Sequence, residues 1–296
     1  MKTRADKFLT RISYGTLFLL SLSCILPFLL LISGSLTDNN TIVASGYTFI
    51  PKKWSADAYH YLWATSKTLV RAYGITIGTT VIGTIASLFV TSMIGYGLSF
   101  RDLPGIRILS FFVIFTLLFN GGLVPTYMVY TQIFHIKNTI WAQLIPGLLM
   151  NGFTITLMRT YFSNTIPPSI KESARVDGAG EFRIFIKIIM PLSLPMMATI
   201  GLLNGVSYWN SWANGLYYLT KTKFYNVQNI LNKMLTDIRF LQSGAAGDYG
   251  TEQLIALPAN SVRMAMAVIG VIPILLLYPF FQKYFVKGIT VGAVKE

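Results

Sequence analysis

Six long stretches of this chain, near 12–34, 73–98, 108–130, 139–160, 193–219 and 264–285, are apolar and hold no Asp or Glu. A helix needs about 20 mostly apolar residues to cross a bilayer, and each stretch is long enough. In hydrocarbon every backbone N–H and C=O must bond within its own segment, so the spans are expected to be helices. The strands of a membrane barrel alternate polar and apolar residues over about 10 positions. Runs such as residues 77–90, IGTTVIGTIASLFV, do not. Charged residues make up 12% of the chain, about half the usual share of a soluble domain, and they cluster between the apolar stretches. The reading is an all-α integral membrane protein of about six transmembrane helices, forming one domain over 1–296.

The second span carries Gly74, Gly78, Gly83, Ser87, Ser92 and Gly95. Small residues at such spacing suit close helix–helix approach, though glycines are also tolerated facing lipid. The first span follows Lys2, Arg4, Lys7 and Arg11. Its apolar run continues to Ile32, beyond the roughly 7–15 residues of a signal-peptide core, so a retained anchor is expected. With both termini placed in the cytoplasm, fourteen Lys and Arg fall inside and ten outside. The outer ones are spread over two long loops, which count less in setting orientation. The net charge of +13 is therefore read as retention at the inner membrane face, and nucleic acid is not expected as a partner.

Chemistry-bearing motifs are few. Cys24 is the single cysteine, His60 and His135 lie far apart, and there is no HExxH, so no metal site is expected. The chain has no Gly-Lys pair for a phosphate-binding loop and no GxSxG, so no catalytic residue is assigned. An ion-coupled carrier or channel is the alternative, but such proteins usually keep an ionisable group at membrane depth, and no Asp or Glu lies in a span.

The segment 166–195, IPPSIKESARVDGAGEFRIFIKIIMPLSLP, is too polar to cross a membrane. It reads as two short helices on the cytoplasmic face. Ser169 and Glu172 have the Ser-x-x-Glu spacing of a capping box, and Gly178 offers the positive φ that ends a helix. The second helix carries Phe182, Phe185, Ile186 and Ile189 at helical spacing, with Arg183 and Lys187 four apart on another face. Pro191 and Pro195 end it and open the next span. A bland reading remains for two of these residues: Glu172 as a cap and Asp177 as a turn former.

Glu172-Ser173-Ala174, then Asp177-Gly178-Ala179, then Phe185, Ile188, Pro191 and Pro195 together resemble the EAA loop of bacterial ABC importer permeases. Ser173 stands where the family usually has Ala, and Met190 where it has Leu. Phe119–Tyr127 (FNGGLVPTY), Tyr208–Trp212 (YWNSW) and the tail Gln282–Lys295 resemble the MalG-like branch that imports oligosaccharides. The resemblance implies a coupling loop over 166–191 that docks on an ATPase through Glu172, Ser173, Ala174, Asp177 and Gly178, with the tail near Gly292 and Ala293 reaching the same ATPase. It implies a second homologous permease chain, an ATPase dimer holding ATP and Mg, and an extracellular or periplasmic solute-binding protein. No cofactor is expected on this chain, which is placed in the bacterial cytoplasmic membrane.

Amide and aromatic side chains in the spans are candidates for a sugar path: Asn204, Tyr208, Trp209, Asn210 and Asn214 in the fifth, with Asn120 in the third. Helix-to-helix hydrogen bonding is the rival reading for the same residues. The long loop 220–262 is the candidate contact for the binding protein, near Gly244, Gly247, Asp248 and Tyr249. A merely flexible loop is the rival there.

Overall fold

The computed structural model describes residues 4–64, 66–100, 103–243 and 259–293. Among the described residues there is no strand, and one isolated bridge pairs Thr37 with Trp54. Three helices are long and apolar enough to cross a membrane: Phe8–Ser35, Lys67–Leu98 and Ala259–Leu276. Two further pairs qualify only as bent units. Ile106–Leu118 and Leu123–Ile133 meet at 118°, and Glu181–Leu192 and Leu194–Trp209 meet at 83°. By length and composition the described residues thus hold three spans, or up to five if each bent pair is one, and three of the expected stretches are interrupted.

Each departure has a local cause. The stretch expected to cross at 108–130 breaks after Leu118. Asn120 Oδ1 accepts the Gly122 N–H at 3.0 Å, and Gly122 stands at φ +85°, which glycine adopts without steric penalty. The stretch at 139–160 divides into Trp141–Leu144 and Gly152–Asn164. Between them lie Pro146 and Gly147, the latter at φ +69°. Asn151 then caps the new helix by accepting from the Phe153 and Thr154 amides, which satisfies donors that a helix start leaves unpaired. The fifth stretch pauses at Asn210 and resumes as Ala213–Tyr218.

The first helix, Arg4–Ser35, exposes Phe8, Leu17, Phe18, Leu19, Leu20, Ile25 and Phe28, among other apolar residues. Ile106–Leu118 buries none of its side chains within the chain. Apolar surface of this extent suits a lipid environment.

The chain divides into two compact units, 1–67 with 231–273, and 68–230 with 274–296. In the first, Ser33 Oγ donates to the Thr48 carbonyl at 2.7 Å, and Ser35 Oγ pairs with Tyr59 Oη at 2.9 Å. Asp38 caps Asn39–Ser45 and pairs with Lys53 at 3.5 Å. Asn39 Oδ1 accepts the Asn260 N–H at 3.0 Å.

In the second unit, close packing on the helix Ser66–Leu98 depends on two of its glycines. A Cβ on Gly83 would lie 2.5 Å from the Tyr208 ring, and one on Gly95 3.0 Å from Met158. Gly74 and Gly78 meet nothing within 4 Å. Both readings of the small residues therefore apply, at different turns of one helix.

A buried amide cluster ties distant parts of this unit. Gln143 donates to Asn229 Oδ1 at 2.9 Å, and the Asn229 N–H donates to Asn226 Oδ1 at 2.8 Å. Asn226 and Asn229 also donate to the Ser211 and Trp212 carbonyls, each at 2.5 Å. The Val227 N–H donates to Thr76 Oγ1 at 2.9 Å. The bond to Ser211 satisfies a backbone carbonyl at the break in the fifth stretch, and the Trp212 carbonyl also accepts the Leu216 N–H; low-dielectric surroundings make such groups costly to leave unpaired.

Candidate functional site

The segment after Gly152–Asn164 forms a two-helix knob. Its first helix runs Pro168–Val176 and starts two residues earlier than a Ser169 cap requires. Pro167 is extended at ψ 135°, and Pro168 occupies the first helical position, where its fixed φ is favourable and its missing N–H costs nothing. Ser169 lies inside the first turn, so the expected capping box does not form. No side-chain cap closes this helix start.

The helix ends as expected at Gly178, which stands at φ +76°. Its N–H donates to the Arg175 carbonyl at 2.9 Å, and the Ala179 N–H donates to the Ala174 carbonyl at 3.0 Å. These two bonds are those of a Schellman motif, and they set the path from one short helix to the next.

The second helix, Glu181–Leu192, contains a π turn over Phe185–Ile189. In a regular α-helix residues five apart point in different directions. A π turn closes i to i+5, so Ile184 and Ile189 share a face, and both are fully buried. The apolar stripe therefore differs from the expected one. Ile184, Phe185 and Ile189 face inward, whereas Phe182 and Ile186 are exposed. The inward residues join Tyr96, Met158, Phe162, Ile166, Ala174 and Ile200 in one core. Burying each large apolar side chain contributes about 2 kcal/mol.

Polar contacts cross-tie the knob. Arg175 pairs with Glu181 at 2.6 Å, and Tyr96 Oη donates to the other Glu181 oxygen at 2.9 Å. Glu181 thus joins both short helices to the end of Ser66–Leu98. Lys171 donates to Ser99 Oγ at 3.3 Å and lies over the Tyr96 and Phe100 rings. Burial pushes the Lys171 amine below its ordinary range; the Arg175 charge adds to this and the Glu181 carboxylate opposes it. Lys171, Arg175, Glu181 and Tyr96 were not foreseen as members of the site. For Lys171, Arg175 and Glu181 the only legible signal was charge in the polar loop, and Tyr96 gave none, being 85 residues from Glu181.

The expected coupling residues divide between two faces. Ala174 is buried, as is Lys171. Glu172, Ser173, Asp177 and Gly178 are exposed, and Val176 beside them is 87% exposed. Ser173 Oγ donates to the Ser169 carbonyl at 2.8 Å, within the helix. Gly292 and Ala293 close the helix Ala259–Ala293. Gly244, Gly247, Asp248 and Tyr249 lie outside the described residues.

The amides and aromatics of the expected sugar path are mostly engaged in packing. Asn204 donates to Ser87 Oγ at 2.9 Å, and Tyr208 donates to the Leu144 carbonyl at 2.9 Å; both residues are buried. Asn214 donates to the Pro146 carbonyl at 2.9 Å. Trp209 is buried with its ring 6.5 Å from that of Tyr73. Asn120 and Asn210 are exposed; Asn120 accepts the nearby Gly122 N–H, and Asn210 Oδ1 accepts from the Gln228 side-chain amide at 3.4 Å.

Apolar spans joined by a buried-faced, cross-tied knob describe an integral membrane protein with a polar appendage between spans. Residues 103–291 match the family described as binding-protein-dependent transport system inner membrane component, and the chain belongs to that family. It is 38% identical over 283 residues to the polygalacturonan/rhamnogalacturonan transport system permease protein YtcP of Bacillus subtilis (strain 168), covering 95% of this chain and 96% of that one. It is 35% identical to Protein LplC of the same organism, covering 92% and 89%. Among solved structures, a chain of a bacterial ABC transporter involved in the import of the acidic polysaccharide alginate superposes with a TM-score of 0.81 at 29% identity, covering 96% of this chain and 99% of that one. The family is one of transport permeases, and the names of YtcP and of the alginate transporter both specify polysaccharides.

Proposed function

We propose that this chain is one of two permease subunits that line the pathway of an ATP-driven oligosaccharide importer. It forms one transmembrane domain with both termini in the cytoplasm. The interrupted stretches 108–130, 139–160 and 193–219 each cross once, which brings the crossings to six. An ATPase dimer, holding ATP and Mg, docks on the knob, and the tail near Gly292 and Ala293 approaches the same dimer. A solute-binding protein delivers the sugar to the opposite face, with Gly244, Gly247, Asp248 and Tyr249 as its contact. The pathway itself is assigned to Asn120 and Asn210, the exposed members of the polar set. The substrate class is an acidic, uronate-containing oligosaccharide, in keeping with the polymers named for YtcP and for the alginate importer.

The observation that carries this reading is the division of the first short helix. Its Lys171 and Ala174 face is buried in the chain, while Glu172, Ser173, Val176 and Asp177 face outward. A helix anchored on one face and open on the other can transmit a partner's movement without deforming. ATP-driven closure of the ATPases would displace the knob, and the tie through Glu181 and Tyr96 would carry that displacement into Ser66–Leu98. The test is ATP hydrolysis by the assembled transporter in lipid, with and without binding protein loaded with oligogalacturonate or oligoalginate. Stimulation that disappears when Glu172 and Asp177 are both replaced by Lys supports the reading. A chain that copurifies with no ATPase and takes up sugar without ATP overturns it.

A further inference from the structure

The second short helix meets the span Leu194–Trp209 at 83°. With that span standing across the bilayer, Glu181–Leu192 lies along the membrane surface. Its inner face is taken up by Ile184, Phe185 and Ile189. Two strips remain on the outside. One is apolar: Phe182 is 61% exposed and Ile186 40% exposed, four positions apart. The other is basic, with Arg183 and Lys187 exposed and also four apart. Arg183 and Lys187 further line an open groove of about 310 Å³, whose other walls are Ala174, Asp177, Ala179 and Ile188. Asp177 brings one negative charge against two positive ones. At the elbow into the span, Leu192 and Leu194 are exposed as well.

An in-plane helix with adjoining apolar and basic strips matches the boundary between acyl chains and headgroups. Apolar side chains enter the acyl edge, and cations meet phosphate oxygens, which a guanidinium can engage with two hydrogen bonds. We propose that Arg183 and Lys187, with Phe182 and Ile186 beside them, form a binding site for an anionic phospholipid of the cytoplasmic leaflet. The inference rests on the proposed placement of the knob at that face. A lipid held there braces the second short helix from outside, opposite the core that holds it from inside. Transport coupling then depends on membrane charge.

Native mass spectrometry of the intact chain, with phosphatidylglycerol or phosphatidylcholine added, reads the site directly. The chain is expected to retain phosphatidylglycerol in preference, and Arg183→Gln with Lys187→Gln to lower that retention roughly tenfold. Arg183→Lys with Lys187→Arg should keep most of it, and Phe182→Ser with Ile186→Ser should weaken it. All these positions are exposed, so folding is preserved. Equal retention by the wild type and the Gln pair overturns the proposal. Displacement of the lipid by inorganic phosphate also overturns it, since the site would then take a soluble anion. A Gln pair that sheds the ATPase subunit equally in phosphatidylcholine and phosphatidylglycerol membranes assigns the groove to a protein partner instead. If the chain holds no ATPase subunit in any lipid, the transporter reading falls, while the retention data still decide this site.

Discussion

Gly178 stands at φ +76° and donates its N–H to Arg175. Proline can reproduce neither feature. Gly178→Pro is expected to leave the protein in the membrane but to separate ATP hydrolysis from uptake, measured together in vesicles; wild-type uptake at normal expression would defeat this. Gly178→Ala should cost about 1–2 kcal/mol locally and lower uptake only in part. Gly83 poses a different constraint, because it supplies space rather than backbone freedom. The Tyr208 ring lies where a Cβ would stand, and its hydroxyl bonds the Leu144 carbonyl. Gly83→Ala should destabilise by about 1–3 kcal/mol through overpacking. Tyr208→Phe should cost about 1 kcal/mol by leaving that carbonyl unpaired. Thermal unfolding in detergent measures both. The positive φ at Gly178 was legible in the sequence because helix termination is local. The close approach at Gly83 was legible only as one of several small residues, since its partner is 125 positions away and Gly74 and Gly78 look the same.

At the scale of elements, hydropathy located apolar stretches but not the continuity of their backbone. Windows over 108–130 and 139–160 average across turns whose chemistry was in view: Asn120-Gly121-Gly122 in one, and Pro146-Gly147 followed by Asn151 in the other. The π turn was not legible at all, and it redirects the knob's apolar face from Phe182 and Ile186 toward Ile184 and Ile189. Nor could spacing separate a sugar path from packing around Asn204, Tyr208 and Asn214. Their partners are a hydroxyl and two backbone carbonyls more than 60 residues away. The knob's central tie is Glu181, which bonds Arg175 and Tyr96 at once. Glu181→Gln removes the ionic pair while keeping the shape. It is expected to lower sugar imported per ATP severalfold with little change in unfolding temperature. Exchange of the two charges, Arg175→Glu with Glu181→Arg, should restore much of the ratio; no recovery would make the pair incidental.

For the whole molecule, assembly follows from which surfaces the chain leaves uncovered. In a Cys24→Ser background, Glu172→Cys is expected to form a disulfide-length cross-link with a cysteine placed in the ATPase cleft. Ala174→Cys should not, because its side chain is turned into the core. Cross-linking at both positions with equal yield would show that the knob opens on docking. The first helix and Ile106–Leu118 present apolar surface throughout, so lipid or a second membrane chain must cover them. Composition alone made that plain, because no water-exposed fold tolerates so much of it.

The outward face of the first short helix has a consequence for inheritance. Glu172, Ser173, Val176 and Asp177 add nothing to the buried core or to the Glu181 tie. Mutation can therefore rewrite them without unfolding the chain. Under the proposed docking, energising partners become interchangeable in principle: a handful of surface letters would decide which ATPase this permease answers to.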